Sequence, residues 1–165
     1  MQGLKLIEIT KMAMAGLEQI SETSAGIRPL PDKWSNKEVL GHLIDSAVVN
    51  YSRFVEAEVN MDLVFSTYDQ EKWVIRRNYA DVKWSEIIKI WFDINSHLAG
   101  LIGNIPSGVK TTRHEVHNFD RVAWKTVPQD QPITLDYFIW DYIGHLEHHI
   151  SQILPDYKPE VIGTY

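Results

Sequence analysis

Cysteine is absent from this sequence of 165 residues. Its absence excludes disulfide bridges, thiolate metal sites and cysteine nucleophiles together, so a transition metal would have to be held by imidazole nitrogen or by oxygen. Basic charge is also scarce, because 16 Lys and Arg residues face 22 Asp and Glu residues and the formal net charge is -6. Contacts to phosphate need a basic surface, and we therefore expect no binding to nucleic acid.

Long apolar runs are lacking as well. No stretch approaches the roughly 18 apolar residues that cross a membrane, and Met1 to Thr10 has no uninterrupted apolar run of the kind found in signal peptides. We therefore expect a cytoplasmic protein with no membrane partner. The hydrophobic fraction of 44% and charged fraction of 23% are typical of a globular protein, and the length favours a single domain over residues 1–165.

Apolar residues recur at helical spacing in four segments. The predicted helices span Leu4–Ile20, about Asn36–Asn60, about Val82–Asn104 and Leu135–Leu154. Ser35 and Glu38 have the spacing of a capping box at the start of the second helix. Thr134 is a suitable N-cap for the fourth helix, and Pro155 stops it.

Three connections separate these helices. Thr23–Lys33 contains one glycine and two prolines, which is typical of a connection. Met61–Ala80 is polar and aromatic, with short helical turns expected around Gln70–Arg76. In the long connection Ile105–Pro132, the residues of Lys110–Trp124 follow an alternating pattern typical of strands. This segment could form a hairpin. The pattern predicts an all-α four-helix bundle with a long, hairpin-containing connection before the last helix.

Two histidines of the fourth predicted helix suggest a metal site. His145 and His149 are four residues apart and lie on one helical face. Both imidazoles can therefore bind one ion, with metal–nitrogen distances of about 2.0–2.1 Å if the ion is zinc. His148 is about 100° around the helix from His149 and should miss that ion. His42, on the second predicted helix, is the best candidate for a third ligand. Three histidines would leave coordination positions open, as in catalytic metal sites.

The residues alone also allow a simpler interpretation of these histidines. A pair of histidines four apart often occurs on a helix without a metal, and His42 by itself is typical of a buried core histidine. Spacing along the chain does not show that the two helices face each other at these positions. Both interpretations therefore stay open on spacing alone.

Two carboxylates and one arginine lie near the candidate ligands in sequence. Asp141 is four residues before His145 and could accept a proton from the outer nitrogen of a ligand. Asp45, three residues after His42, could do the same or point into a cavity, although each carboxylate could instead be exposed or ion-paired. Arg53 lies about 16 Å further along the second helix than His42. It could meet the anionic end of a substrate or cofactor, or form a surface ion pair.

Three other histidines are weaker candidates for metal ligands. His114 and His117 have a separation that can bind an ion, but on a strand they would point to opposite faces. His97, on the third predicted helix, has no histidine or acid four residues later, and we interpret it as structural.

Three motifs resemble the DinB and YfiT-like superfamily. Trp34–Ser46, with the sequence WSNKEVLGHLIDS and followed by Arg53, resembles the second helix of that family. Tyr142–Ile153, with the pattern H-x-x-x-H and then Gln-Ile, resembles its last helix. Tyr68–Trp73 is similar to the acidic and aromatic connection between its second and third helices. The resemblance extends over essentially the whole chain, except that Lys110–Val127 has no counterpart in the family pattern.

The resemblance implies an up-down-down-up four-helix bundle and a metal ion, usually nickel or zinc, bound by His42, His145 and His149. It also implies two kinds of enzyme, thiol S-transferases and metal-dependent hydrolases. Metal coordination can hold a thiol as thiolate, and it can equally lower the pKa of water toward about 7. Because the sequence has no cysteine, the nucleophilic sulfur would come with a cosubstrate.

We therefore expect a metal-dependent enzyme that transfers a low-molecular-weight thiol to a small electrophile, with Asp45 and Asp141 as candidate catalytic carboxylates. The alternatives are hydrolysis of an amide or ester and a non-catalytic metal-binding protein. We also expect a homodimer, for which the last helix with His148 is a plausible contact.

Overall fold

Helices form most of the structure, a computed structural model that describes residues 1–161. In chain order the helices are α1 (Gln2–Leu17), α2 (Glu22–Gly26), α3 (Asn36–Ala57), α4 (Gln70–Arg77), α5 (Trp84–Asn104), α6 (Ser107–Thr111), α7 (Phe119–Val122) and α8 (Leu135–Ile153). A 3-10 turn at Tyr79–Asp81 precedes α5. The four long helices α1, α3, α5 and α8 correspond to the four predicted ones.

Side-chain caps set the start of the two helices that carry the candidate ligands. The Ser35 hydroxyl accepts the Glu38 N–H, and the Glu38 carboxylate accepts the Ser35 N–H at 2.8 Å, which confirms the predicted capping box. Thr134 Oγ1 accepts the Tyr137 N–H at 3.1 Å and starts α8, also as predicted. These caps satisfy backbone donors that have no partner within the helix.

Helix α1 runs antiparallel to α5. Its first turn packs so closely on the end of α5 that a Cβ added to Gly3 would lie 2.4 Å from the Ala99 carbonyl oxygen. Its last turn meets the start of α5, where the Trp84 indole N–H donates to the Leu17 carbonyl at 3.0 Å. The Gln2 amide donates to the Asp136 carbonyl, so α1 and α8 begin at the same end of the bundle and run parallel.

Helix α3 runs antiparallel to α8. His42, early in α3, lies against His145 near the end of α8, and Phe54, late in α3, packs edge-on against Phe138 near the start of α8. With α1 parallel to α8 and antiparallel to α5, the order is up-down-down-up, as expected.

Buried apolar side chains from all four long helices form one core cluster. On α3 the buried apolar side chains that share a helical spacing include Val39, Leu40, Leu43, Ala47 and Phe54. The predicted first helix forms as α1, in which Leu4 and Met12 are 76% and 46% exposed. The residues that α1 does bury against its neighbours are Leu6, Ile9, Ala13 and Leu17.

The connections contain more structure than the sequence indicated. Helix α2 lies within the expected first connection, and α4 occupies the turns expected around residues 70–76. The hairpin expected within Lys110–Trp124 does not form. Instead β1 (Arg113–His114) pairs antiparallel with β2 (Ile133–Thr134), which immediately precedes α8.

Burial of one aromatic ring accounts for this difference. Phe119 is fully buried, with its ring centroid 4.4 Å from that of Phe138. The chain turns into α7 at this point, and the ring enters the core instead of continuing along a strand. Within residues 1–161, no helix has both the length and the apolar character required to cross a membrane.

Candidate metal centre

Three histidine side chains converge where the first half of α3 faces the second half of α8. One ring nitrogen from each of His42, His145 and His149 lies within 4.8 Å of the other two. The Nε2 atoms of His42 and His145 are 3.3 Å apart. Two ligands on a tetrahedral zinc ion with bonds of about 2.0–2.1 Å would be separated by about the same distance. The structure therefore brings together the three predicted ligands, in an arrangement that fits one ion.

Burial keeps these imidazoles uncharged near neutral pH. Burial, and secondarily the nearby His149, lowers the pKa of His42 to about 3. Burial also lowers the pKa of His145 and of His149 below the ordinary histidine range. Metal ligands must be deprotonated, so three neutral imidazoles are the protonation state that a divalent cation requires.

The side chain of Gln152 orients one of the three rings. Its Oε1 accepts from Nδ1 of His149 at 2.9 Å, which leaves Nε2 of that ring free for an ion. Its amide nitrogen lies 3.1 Å from Nε2 of His148. Gln152 belongs to the motif that resembles the last helix of the family, but the sequence predicted no role for it. The three-residue spacing between His149 and Gln152 on one helix was the signal for this contact.

Two indole rings stand beside the cluster. The Trp34 ring centroid is 5.3 Å from that of His42, and the Trp124 ring centroid is 6.1 Å from that of His145. Trp124 also contacts His148, with centroids 5.3 Å apart. His148 does not join the three clustered nitrogens, which agrees with its predicted position around the helix. His42, which packs on Trp34, is only 1% exposed.

The Asp45 carboxylate does not take the expected place beside His42. It is buried and accepts the Tyr79 hydroxyl at 2.8 Å, and the Arg77 Nε lies 3.9 Å away. Nδ1 of His42 has no hydrogen-bond partner within residues 1–161. Burial raises the pKa of Asp45. Tyr79 was missed by sequence reasoning because it lies 34 residues from Asp45 and no local pattern links the two.

Asp141 also has different partners from those expected. Its two carboxylate oxygens accept the backbone N–H groups of Trp124 and Lys125, each at 2.8 Å. The predicted hydrogen bond to a ligand histidine is not among its contacts, because both oxygens face the loop that precedes α8. Burial raises the pKa of Asp141 to about 6, although the two backbone hydrogen bonds oppose the shift. Asp141 thus fixes the Trp124 loop against α8.

A cavity of about 440 Å³ opens beside the histidines. Its size is within the usual range for small-molecule sites. Helices α3 and α8 form two of its walls, and residues 67–71 and 121–124 form the others. The side chains from the two helices are His42, Ser46, Asn50, Arg53, Phe138, Asp141, Tyr142 and His145. The segment Lys110–Val127, which has no counterpart in the family motifs, therefore contributes part of the cavity wall.

Arg53 lies in this cavity wall and is only 5% exposed. Its Nη2 donates to the Ser66 carbonyl at 2.7 Å, and its Nη1 lies 3.4 Å from Oδ1 of Asn50. The guanidinium carbon lies 5.9 Å from the centroid of the Phe138 ring. Burial lowers the pKa of Arg53. The surface ion pair considered from the sequence is therefore not the environment of this side chain.

The other candidate histidines lie outside the cluster. Nδ1 of His114 contacts the Met61 carbonyl at 2.7 Å, and Nε2 of His117 contacts the Gln131 carbonyl at 2.8 Å. His97 is exposed on α5 and stacks on Tyr51 with centroids 5.0 Å apart. Each of these rings thus has a local structural contact.

Comparison with known proteins identifies the family. A sequence model of the DinB superfamily matches residues 6–153. No curated protein matches the sequence. The solved structure of YfiT from Bacillus subtilis, described as a probable metal-dependent hydrolase with an unusual four-helix bundle topology, is similar with a TM-score of 0.71 and 18% identity. The alignment covers 93% of this chain and 84% of that chain.

A second similar structure is that of a mycothiol-dependent maleylpyruvate isomerase, with a TM-score of 0.68 and 12% identity. The alignment covers 97% of this chain and 64% of that chain, so this chain spans less than two thirds of the isomerase. At these identities both likenesses concern the fold.

Proposed function

Because the chain belongs to the DinB superfamily, we propose that it is a metal-dependent enzyme that transfers a low-molecular-weight thiol to a small electrophile. The observation that carries the proposal is the convergence of His42, His145 and His149 within 4.8 Å beside a cavity of about 440 Å³. These three imidazoles would hold one divalent ion, nickel or zinc. Imidazole nitrogen suits both metals.

The chain's own residues favour an open site. Three protein ligands leave at least one coordination position for a substrate, as in catalytic rather than structural zinc sites. When bound, the ion would lower the pKa of a coordinated thiol or water and make it a nucleophile near neutral pH. His42 and His145 line the cavity, so a ligand in the cavity can reach the ion's position.

Two findings support a thiol as the nucleophile. The isomerase of similar fold is named as mycothiol-dependent. The sequence has no cysteine, so a reacting sulfur must enter with a cosubstrate. The description of YfiT as a probable hydrolase supports the alternative, in which water attacks an amide or ester.

Asp141 is the better placed of the two candidate catalytic carboxylates. It lines the cavity, whereas Asp45 accepts the Tyr79 hydroxyl and is not among the residues of the cavity wall. A carboxyl group with a pKa near 6 can take up and release a proton near neutral pH, which suits a general acid or base. We propose this role for Asp141 and a positioning role for Asp45.

The experiment compares thiol transfer with hydrolysis in one protein. Nickel- or zinc-loaded protein is incubated with a panel of low-molecular-weight thiols and a chloro-aromatic or epoxide acceptor, and adducts are measured by mass spectrometry. In parallel, hydrolysis of model esters and amides is followed. We expect thiol adducts that depend on the metal and disappear in His145→Ala.

The matched control is His97→Ala, which removes an exposed histidine on another helix and should keep full activity. Ester or amide turnover that is lost in His145→Ala, without any thiol adduct, would replace the transferase proposal with the hydrolase. Stoichiometric metal binding that survives in His42→Ala would show that His42 is not a ligand.

A further inference from the structure

We propose that Arg53 binds an anionic group of the substrate, a carboxylate, at the end of the cavity remote from the three histidines. The inference rests on the proposed function and extends it by naming a substrate class. It predicts molecules that present a reactive group to the histidine end and a carboxylate to the guanidinium end.

The charge of Arg53 is buried without an ion pair. Among residues 1–161, no carboxylate lies within 4.0 Å of its guanidinium, and its Nε has no hydrogen-bond partner. The Glu56 carboxylate, three residues further along α3, attracts Arg53 only from beyond that distance. Its two hydrogen bonds go to neutral groups, a backbone carbonyl and the Asn50 side chain. A buried charge that no ion pair compensates is unfavourable, because it has lost its hydration. An anionic ligand would offset this cost.

Arg53 lies in the same cavity wall as His42, further along α3. His42, Ser46, Asn50 and Arg53 all line the cavity from α3. Their spacing of four, four and three residues places them on one helical face. Along the helix axis Arg53 is about 16 Å from His42, and both side chains extend into the same wall. One small molecule can therefore contact both ends.

The acids that line the cavity do not form an ion pair with Arg53. Both oxygens of Asp141 accept backbone N–H groups. Asp69 caps α4 and forms an ion pair with Lys72 at 2.8 Å. Glu71 also lines the cavity, and it is exposed. A guanidinium is suited to a carboxylate because its planar fork can donate two parallel hydrogen bonds.

The carboxylate could belong to the thiol or to the electrophile, and both sources present the same chemistry to Arg53. A binding experiment on metal-free protein tests the shared chemistry first. The probes are 4-phenylbutyrate and 4-phenylbutanol, which differ in the carboxylate, and their binding is measured by isothermal titration calorimetry. We expect the acid to bind roughly tenfold or more tightly than the alcohol, as expected for hydrogen bonds to a charged group.

The variants assign that preference to Arg53. In Arg53→Gln the preference for the acid should disappear, and in Arg53→Lys, which keeps the charge but loses the fork, it should be reduced. Arg76→Gln, which removes an exposed arginine of α4, is the matched control and should keep the full preference. Equal binding of acid and alcohol by the wild-type protein would overturn the inference even if Arg53→Gln fails to fold. A preference that persists in a folded Arg53→Gln would overturn it as well.

A kinetic experiment on the metal-loaded protein identifies the source. The thiols 8-mercaptooctanoate and 8-mercaptooctanol are compared, and so are 4-(4-chloro-3-nitrophenyl)butyrate and the corresponding butanol as acceptors. In each acid the carboxylate lies several bonds from the reacting atom, so that both ends of the cavity can be reached. The carboxylate whose KM advantage is lost in Arg53→Gln is the one that binds there. An acid preference in metal-free protein without any thiol transfer supports the inference and contradicts the proposed function. Thiol transfer without an acid preference supports the proposed function and contradicts the inference.

Discussion

At the scale of single residues, the arrangement of the candidate ligands depends on side chains that do not contact the ion themselves. A histidine ring has two nitrogens, and the hydrogen bond on one of them decides which nitrogen is free to bind a metal. For His149 this partner is Gln152, whose Oε1 lies 2.9 Å from Nδ1. For His42 no such partner exists in the described chain, and packing against Trp34 holds the ring.

We therefore predict that Gln152→Ala weakens metal binding by roughly tenfold, because loss of an outer partner of a ligand typically costs about 10- to 100-fold. The lower limit is expected because Gln152 is exposed and water can replace its amide. Competition with a chromophoric chelator measures the affinity. Gln152→Glu, which keeps an acceptor at this position, should retain it. An unchanged affinity in Gln152→Ala would show that this hydrogen bond does not orient the ligand.

At the scale of helices, the 3-10 turn at Tyr79–Asp81 packs closely on α3 next to His42. A Cβ added to Gly41 would lie 2.2 Å from Cδ2 of Tyr79, so the tyrosine ring packs directly on the backbone of α3. From there its hydroxyl donates to Asp45, one turn further along the helix. Gly41 precedes His42 in the sequence, and its lack of a side chain permits this packing.

Replacing this glycine should therefore displace Tyr79. We predict that Gly41→Ala destabilises the protein by about 1–3 kcal/mol, the usual cost of overpacking, although alanine is the better helix former. The free energy of unfolding is measured by urea denaturation.

Gly100→Ala is the matched control, since nothing lies within 4 Å of a Cβ added at that exposed position of α5. It should stabilise the protein by about 0.5–1 kcal/mol. Destabilisation of similar size in both variants would contradict the role assigned to the contact between Gly41 and Tyr79.

At the scale of the whole molecule, the metal-free fold carries three buried neutral histidines whose protonation opposes folding. Their pKa values are lowered in the folded protein, to about 3 for His42, whereas unfolded histidines titrate near about 6.5. Below that pH the unfolded chain binds more protons than the folded one, so folding becomes less favourable as pH falls. Asp141 acts in the opposite direction, because its pKa is raised to about 6 and the folded protein holds its proton more tightly.

We therefore predict that the metal-free protein loses stability between about pH 6.5 and pH 5, by up to about 1.4 kcal/mol per pH unit for each of the three histidines, with part of the loss offset by Asp141. Urea denaturation of chelator-treated protein measures the slope. His42→Gln, which has no titrating group at that position, should show a shallower slope, and His97→Ala should match the wild type. A slope unchanged by His42→Gln would contradict the lowered pKa of His42.

The sequence by itself determined the features that depend on local order. The four long helices follow from apolar spacing and from caps such as Ser35 and Thr134, whose hydrogen bonds span only three residues. The common face of His145 and His149 follows from helical geometry, because a separation of four residues leaves no other arrangement. Motif resemblance added His42 and the family.

Only the tertiary structure decided which side chains meet across the bundle. The approach of His42 to His145 spans 103 residues, and the bond from Tyr79 to Asp45 spans 34. Such contacts depend on how helices pack, and no local periodicity encodes that. The same holds for Asp141, which binds the Trp124 loop instead of a histidine. It also holds for Arg53, whose burial without an ion pair results from the position of α8 and of residues 66–68 around it.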